Sequence, residues 1–329
     1  MKYYLGLDVG GTNFVAGIID ENYKIIEKAH IPAGAGRDIK EIIADMVKVS
    51  LEVVHKAGMQ ISDFTSWGIG MPSFVNPETN LLVHANCFGW KNVPIYSYLE
   101  PYIPLPIYIE NDANCAALGE TLAGGARGHE NVLMLTLGTG LGGGIILNHK
   151  IYAGADMMGA ELGHTKLVYN GEQCTCGQYG CAEAYCSATA LIRQAKEGLK
   201  RNPDSFMAKL CDGDISRLEA KTVFEAMEQG DILAKQVIEQ YIDYLSCAIS
   251  SFVVIFRPEI IILGGGVANA GEILRKPLQE RLLVNTYAGD EIGVPEIRLA
   301  ECGNDAGLIG AAMLEKYGMD RNKKQGVEE

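Results

Sequence analysis

A chain of 329 residues, 48% hydrophobic and 21% charged, has the apolar content to bury a core and the length for two ordinary domains. Its net charge of −13 argues against a general binder of nucleic-acid backbone, which needs a basic stripe, but not against a small anion held by backbone N–H groups and Mg2+. The first residues enter an apolar strand with no basic and apolar leader regions, and no apolar run reaches the length of a membrane span, so a cytoplasmic protein with neither nucleic acid nor membrane as partner is expected.

In chain order, Tyr3 to Val9 reads as a strand, Gly10-Gly11-Thr12-Asn13 as a turn and Phe14 to Ile19 as a second strand; Asp20-Glu21-Asn22 then turns the chain into Lys24 to Ala29. Ile39, Ile42, Ile43, Met46, Val47, Val49, Leu51, Val53 and Val54 fill one broad face of a helix. Strands follow at Ser66 to Gly70 and Pro106 to Glu110, and Asn111-Asp112 caps a helix through Ala113, Ala116, Ala117 and Leu118. The second half opens similarly, with a strand at Asn131 to Leu137, a glycine loop at Gly138 to Gly144 and a strand at Gly144 to Leu147. A long helix spans Ile232 to Phe256, Pro258 ends it, and Glu259 to Leu263 is a buried strand. The apolar face of that helix suits either a homodimer contact or ordinary core packing. Two strand–glycine loop–strand openings, one per half, predict a duplicated α/β architecture with a cleft between the halves. The polar stretch Asp320 to Glu329 is expected to fray.

Three glycine loops follow three strands. In Asp8-Val9-Gly10-Gly11-Thr12-Asn13, two glycines let the backbone turn its N–H groups towards an anion, Thr12 adds a hydroxyl donor, and Asp8 can orient Mg2+ or its waters; a plain hairpin turn would use the same glycines. In Gly138-Thr139-Gly140-Leu141-Gly142-Gly143-Gly144, so many glycines cost chain entropy unless a phosphate or another backbone must come close. Gly264-Gly265-Gly266, after the buried strand, offers a surface free of side chains to an adenine or ribose, where a plain turn would need one glycine.

In Glu110-Asn111-Asp112-Ala113-Asn114, a carboxylate at a helix start is either a cap or a base that accepts a hydroxyl proton as that oxygen attacks phosphorus. Asn111 could both donate to and accept from a sugar hydroxyl. The most specific segment is Glu161-Leu162-Gly163-His164 followed by Cys174-Thr175-Cys176-Gly177-Gln178-Tyr179-Gly180-Cys181-Ala182-Glu183. His164, Cys174, Cys176 and Cys181 make a complete tetrahedral Zn2+ set, closed and therefore structural, with Cys186 outside the compact knuckle. The other cysteines, Cys87, Cys115, Cys211, Cys247 and Cys302, read as small buried hydrophobes.

From Asp8 to the glycines near Gly310, these motifs resemble the ROK family of repressors, open reading frames and sugar kinases, within the actin-like, hexokinase-type ATPases. The resemblance implies an α/β fold of two RNase-H-like domains with an interdomain active-site cleft, a smaller one at 1–113 plus about 304–329 and a larger one at 114–303 carrying the zinc knuckle. It implies that Asp8, Gly10, Gly11, Thr12, Asn13, Gly138, Thr139 and Gly140 face the phosphates of MgATP and that Gly264, Gly265 and Gly266 lie at the nucleoside. Asp112 matches the family's catalytic base, and Ser73, Asn86, Asn111, Glu161, His164 and Glu183 match positions at the sugar, with His164 also a zinc ligand. Ser73 stands where many relatives have glycine, and the adjacent Phe74 is bulky, so the departures bear on which sugar fits rather than on the reaction. The expected activity is transfer of the γ-phosphoryl group of ATP to the 6-hydroxyl of a hexose, glucose first, with N-acetylmannosamine, N-acetylglucosamine, mannose, fructose and allose as alternatives. A sugar-sensing regulator of the same family would need a DNA-binding helix-turn-helix, for which the strand beginning by Tyr3 leaves no room; an actin-like ATPase without a sugar would have no use for the knuckle and its flanking glutamates.

Overall fold

The computed structural model describes residues 1–34 and 36–318, with the side chain of Asn86 outside that description, as is the stretch Asp320 to Glu329. Twelve strands run in chain order among the described residues: β1 (Tyr3–Val9), β2 (Asn13–Asp20), β3 (Ile25–Pro32), β4 (Phe64–Met71), β5 (Leu82–Ala85), β6 (Trp90–Val93), β7 (Ile107–Asn111), β8 (Val132–Leu137), β9 (Leu141–Leu147), β10 (Lys150–Ile151), β11 (Ile260–Gly264) and β12 (Glu296–Leu299). They form two five-stranded sheets, ordered β3-β2-β1-β4-β7 and β10-β9-β8-β11-β12, and the small hairpin β5-β6.

The chain divides into two compact units, Met1–Leu133 with Gly144–Ala160 and Ala300–Glu329, and Met134–Gly143 with Glu161–Leu299. The division therefore does not fall at residue 113. Helix Asp112–Ala123 stays with the first unit because helix Ala306–Ala312 packs along it so closely that a Cβ at Gly310 would collide with the Cys115 carbonyl.

In the first unit the Gly10–Asn13 turn, closed by Gly10 N–H to Asn13 O at 3.0 Å, makes β1 and β2 antiparallel, with Leu5 opposite Ile18 and Asp8 opposite Val15. On its other side β1 runs parallel to β4, which runs parallel to β7. The register sets Asp8 beside Gly70 and Gly70 beside Glu110, so Asp8, the Met71–Ser73 connection and Asn111–Asp112 arrive at the same end of the sheet. The carboxyl ends of parallel strands, where chain crossings leave a crevice, are where α/β sheets bind ligands. Helix Ile39–Lys56, capped by the Asp38 carboxylate on Lys40 N–H, buries Ile42, Ile43, Met46, Val49 and Val53 against β1–β3.

In the second unit β11 is buried along its whole length and pairs parallel to β12, which explains its uninterrupted run of apolar residues. Helix Ile232–Phe256 begins at Asp231, whose side chain accepts from Ala234 N–H. By length and composition it could cross a membrane, which departs from the expectation that no segment is long and apolar enough. Val237, Tyr241, Leu245, Ile249, Phe252 and Val253 are nevertheless buried within the unit, and Tyr241 donates its hydroxyl to Cys186 O at 2.6 Å. That makes it a core helix.

Candidate functional site

In the first unit, the acidic residues gather where β1, β4 and β7 end. Asn111 is the N-cap of helix Asp112–Ala123, and its Oδ1 accepts from Ala113 N–H at 2.9 Å and Asn114 N–H at 3.2 Å. Asp112 is the first helical residue rather than the cap, and its Oδ1 accepts from Ala113 N–H at 2.9 Å. Capping thus falls to Asn111, and Asp112 is not required for it. With both lone pairs of Oδ1 engaged, Asn111 is left with its Nδ2 donors alone, so it cannot both donate and accept.

Burial pushes the Asp112 carboxyl above the ordinary aspartate range, partly offset by the Ala113 N–H. Asp8 is pushed up to about 7, first by burial and then by the neighbouring Asp112 carboxylate. Two carboxylates so placed resist ionising together and favour a cation or a shared proton between charges. Beneath them Glu110 is buried, with its Oε1 accepting from Asn111 N–H at 2.9 Å and Asn114 Nδ2 at 3.2 Å; burial raises its pKa as well. Gly307, at the start of helix Ala306–Ala312, faces Asp8: a Cβ there would lie 3.0 Å from Asp8 Oδ2.

Gly10 is half-buried, and Gly11, Thr12 and Asn13 are exposed, as a loop open to a ligand requires. Ser73 is buried just beyond β4, its N–H on Met71 O at 2.7 Å. Asn86 begins a short 3-10 turn between β5 and β6, and its side chain lies outside the described residues.

In the second unit, His164, Cys174, Cys176 and Cys181 converge, with one ligand atom from each lying within 4.8 Å of all the others. Cys174 Sγ is 3.6 Å from His164 Nδ1, and Cys176 Sγ is 3.8 Å from Cys181 Sγ. A tetrahedron with Zn–S of about 2.3 Å and Zn–N of about 2.0–2.1 Å has edges of roughly 3.5–3.8 Å, so the donor set fits such an ion in both chemistry and spacing. Lys166 reaches the same cluster, donating to Tyr179 O at 2.8 Å and Cys181 Sγ at 3.4 Å. Cys186 is buried elsewhere in the unit's core. Of the remaining cysteines Cys115 and Cys211 are buried as expected, but Cys87 and Cys302 are half-buried and Cys247 is exposed on the outer side of helix Ile232–Phe256.

The glycine loop is shorter than expected, because β9 begins at Leu141 and not at Gly144. A Cβ at Gly143 would lie 2.6 Å from Leu162 Cδ1, so this glycine makes room for packing, not for phosphate. Gly163 in turn lies on β9, where a Cβ would collide with the Leu141 carbonyl oxygen; the glycine between Glu161 and His164 is what lets that motif press against the loop. The part left outside β9 is Gly138–Gly140, of which Gly138 and Thr139 are open, whereas a Cβ at Gly140 would lie 2.5 Å from Glu183 Oε2. It is held by Ala188 N–H on Gly138 O and the Thr189 hydroxyl on Thr139 O, both at 2.8 Å.

Glu183 links loop and knuckle. Its Oε2 accepts from Leu141 N–H at 3.1 Å, while its Oε1 accepts from Thr175 Oγ1 at 2.5 Å and from Cys174 Sγ at 3.3 Å. Gly265 has φ of +83° and its Cβ position lies 2.7 Å from the Leu137 backbone, whereas nothing lies within 4 Å of the Cβ position of Gly266, which is open to a ligand. Thr175, Thr189, Glu110 and Gly307 were not singled out in sequence. Only Thr189 carried a local signal, the Ser187-Ala188-Thr189 helix start, and even that does not reveal what its hydroxyl holds.

The ROK family pattern matches residues 4–317, and the chain belongs to the ROK family. It is 36% identical over 313 residues to a glucokinase of Thermotoga maritima, covering 95% of this chain and 96% of the relative. It is 38% identical over 320 residues to a glucokinase of Halalkalibacterium halodurans, covering 96% and 95%. The crystal structure of a ROK family glucokinase from Streptomyces griseus in complex with glucose and AMPPNP superposes with a TM-score of 0.79 at 32% identity, covering 95% of this chain and 98% of that one. The mixed α/β architecture is accordingly that of the ROK sugar kinases, the two-domain actin/hexokinase-type fold.

Proposed function

We propose that this protein is a glucokinase-like hexose kinase that transfers the γ-phosphoryl group of MgATP to the 6-hydroxyl of glucose. The observation that carries the reading is the pair Asp8 and Asp112 at the carboxyl end of the parallel strands, with Asp112 released from capping by Asn111, in a chain whose relatives include glucokinases.

Asp112 accepts the proton of the 6-hydroxyl as that oxygen bonds to the γ-phosphorus and the bond from phosphorus to the β,γ-bridging oxygen breaks, releasing ADP. A carboxyl raised by burial is a stronger base than an exposed one, which suits this task. Asp8 orients the Mg2+ that travels with ATP, and the cation's charge offsets the repulsion between Asp8 and Asp112. The N–H groups of Gly10–Asn13 and Gly138–Gly140 face the phosphates, and the open Gly266 backbone with Gly264 and Gly265 lies at the nucleoside.

Asn111 donates through Nδ2 to a sugar hydroxyl, and Ser73, Asn86, Glu161, His164 and Glu183 complete the sugar site. Two of the roughly four acceptor positions of Glu183 are engaged by Leu141 N–H and the Thr175 hydroxyl, and Cys174 as a zinc-bound thiolate would donate nothing to it, which leaves two for sugar hydroxyls. His164 turns Nδ1 to the cysteines and keeps Nε2 for the sugar. Zinc in the knuckle would fix that tautomer and ring orientation, a structural contribution and not a chemical step.

The test is ADP release from MgATP measured across a panel of hexoses for the wild type and Asp112→Asn. Turnover strongest with glucose and lost in the variant is expected. No turnover with any hexose in zinc-loaded, folded protein would overturn the reading in favour of a sugar sensor.

A further inference from the structure

Glu120 stands eight residues after Asp112 on the same helix, about 12 Å along its axis, and is fully buried. A carboxyl buried this deeply is costly unless hydrogen bonds replace its water. Here three backbone N–H groups do so. Oε2 accepts from Gly125 N–H at 2.9 Å and Glu301 N–H at 3.0 Å, and Oε1 accepts from Cys302 N–H at 2.8 Å. The helix ends at Gly124, where a Cβ would collide with Glu120 Oε2, so the chain is shaped around the carboxyl.

The segment that Glu120 grips leads directly to the acidic pair. After Cys302 the backbone turns through Gly303, with φ of +55°, into helix Ala306–Ala312. The Ala306 carbonyl lies against Gly119, where a Cβ would collide with it, and Gly307 lies at Asp8. One side chain on the helix that begins with Asp112 thus holds the backbone that ends beneath Asp8. The two connections, Gly119 to Ala306 and Glu120 to Glu301 and Cys302, fix both the approach and the register of the second helix on the first.

We propose that Glu120 is a positioning residue of the kinase reaction, which sets the placement of Asp8 relative to Asp112 by pinning the backbone of 301 and 302 to the catalytic helix. It touches neither substrate nor nucleotide in this role. The inference rests on the reading of Asp112 as the base. A slip of the second helix moves Gly307 away from Asp8 and lets that carboxyl shift, and misplacement by about 1 Å near reacting groups can cost on the order of 100-fold in rate.

The experiment compares Glu120→Gln with Leu122→Ala, a core truncation on the same helix that leaves the 301–302 amides bonded to Glu120. In the glutamine variant the NH2 group faces the N–H of either 301 or 302, so one of the two bonds of the pin is lost while the shape is kept. At a temperature where both variants are folded, Glu120→Gln is expected to lose roughly tenfold or more in kcat, to keep its equilibrium affinity for glucose within a few-fold, and to shift the acid limb of its kcat–pH profile. Leu122→Ala is expected to lose stability while retaining kcat and profile. Glu120→Asp keeps the charge with a shorter reach, shows the same signature more mildly, and serves if the glutamine variant does not fold. Unchanged kcat and pH profile in the folded glutamine or aspartate variant would overturn the proposal, because a merely structural role predicts that outcome. Normal turnover by Asp112→Asn, measured in parallel, would instead refute the base on which the inference rests.

Discussion

Asp8 offers a test of the acidic pair that does not need turnover. Its carboxyl titrates at about 7 in the folded protein against an ordinary value of 3.8, because of burial and of Asp112. Below pH 3.8 both the folded and the unfolded chain carry the proton, and the group costs nothing. As pH rises from 3.8 the unfolded chain ionises first, so stability falls until the folded carboxyl ionises near 7, and the full cost persists above. At about 1.4 kcal/mol per pH unit, the whole window of about 3 units corresponds to roughly 4 kcal/mol, and the part between pH 5 and pH 7 to roughly 3 kcal/mol. Asp8→Asn removes the ionisation. Urea unfolding without Mg2+ or nucleotide should therefore show the variant gaining stability over the wild type by roughly 3 kcal/mol more at pH 8 than at pH 5. The same variant should lose kinase activity, since it gives up the charge that orients Mg2+. A stability difference between variant and wild type that does not change from pH 5 to pH 8 would refute the claim that the half-buried Asp8 carboxyl is raised by its surroundings and by a neighbouring like charge.

Asp112→Asn should retain glucose binding by calorimetry while kcat falls roughly 100-fold or more, and activity within a few-fold of the wild type would remove Asp112 from the mechanism. Cys176→Ser should lower bound zinc, measured by elemental analysis, below that of the wild type and weaken glucose binding by releasing His164 and Glu183; unchanged metal content would rule out the four-residue site. Gly163→Ala should lower the unfolding temperature, because its Cβ meets the Leu141 carbonyl, with a cost of roughly 1–3 kcal/mol typical of overpacking. An unchanged melting point would mean that the contact between the Glu161–His164 motif and β9 gives way freely.

The parts of the site that could be read in the chain are those whose partners lie close along it. The three cysteines between Cys174 and Cys181 and the nearby His164 are metal-ligand chemistry at short range, and the structure brings the same four residues together. Asn111 beside Asp112 is equally local, but two readings competed there. The cap geometry bears on them only in the folded chain, where Asn111 Oδ1 accepts from both Ala113 and Asn114 N–H groups and Asp112 Oδ1 shares only the first. In the glycine-rich stretch, composition was compatible with phosphate or with packing. The structure divides it, since Gly143 yields to Leu162 and Gly140 to the Glu183 carboxylate, while Gly138 and Thr139 are open. The long helix shows the same ambiguity: its apolar face fits a dimer contact or a core, and burial of Tyr241, Leu245 and Ile249 places it in the core of its unit.

By itself, then, the amino-acid sequence determined the α/β class, the family, the convergence of one histidine and three cysteines in the knuckle and the identity of the acidic residues, because strand period, capping and ligand spacing act over a few residues. Tertiary structure decided what those residues do to one another. Glu120 meets Glu301 and Cys302 across 181 and 182 positions of chain, Thr189 meets Thr139 across 50, and Gly307 meets Asp8 from the far end of the sequence. Such contacts leave no periodic trace, since a buried carboxyl or a helix-packing glycine has the same local signature whichever backbone it faces. The raised proton affinity of Asp8 belongs to the same class: it arises from burial and from a carboxylate on another element, and both exist only once the sheet and its helices have closed around it.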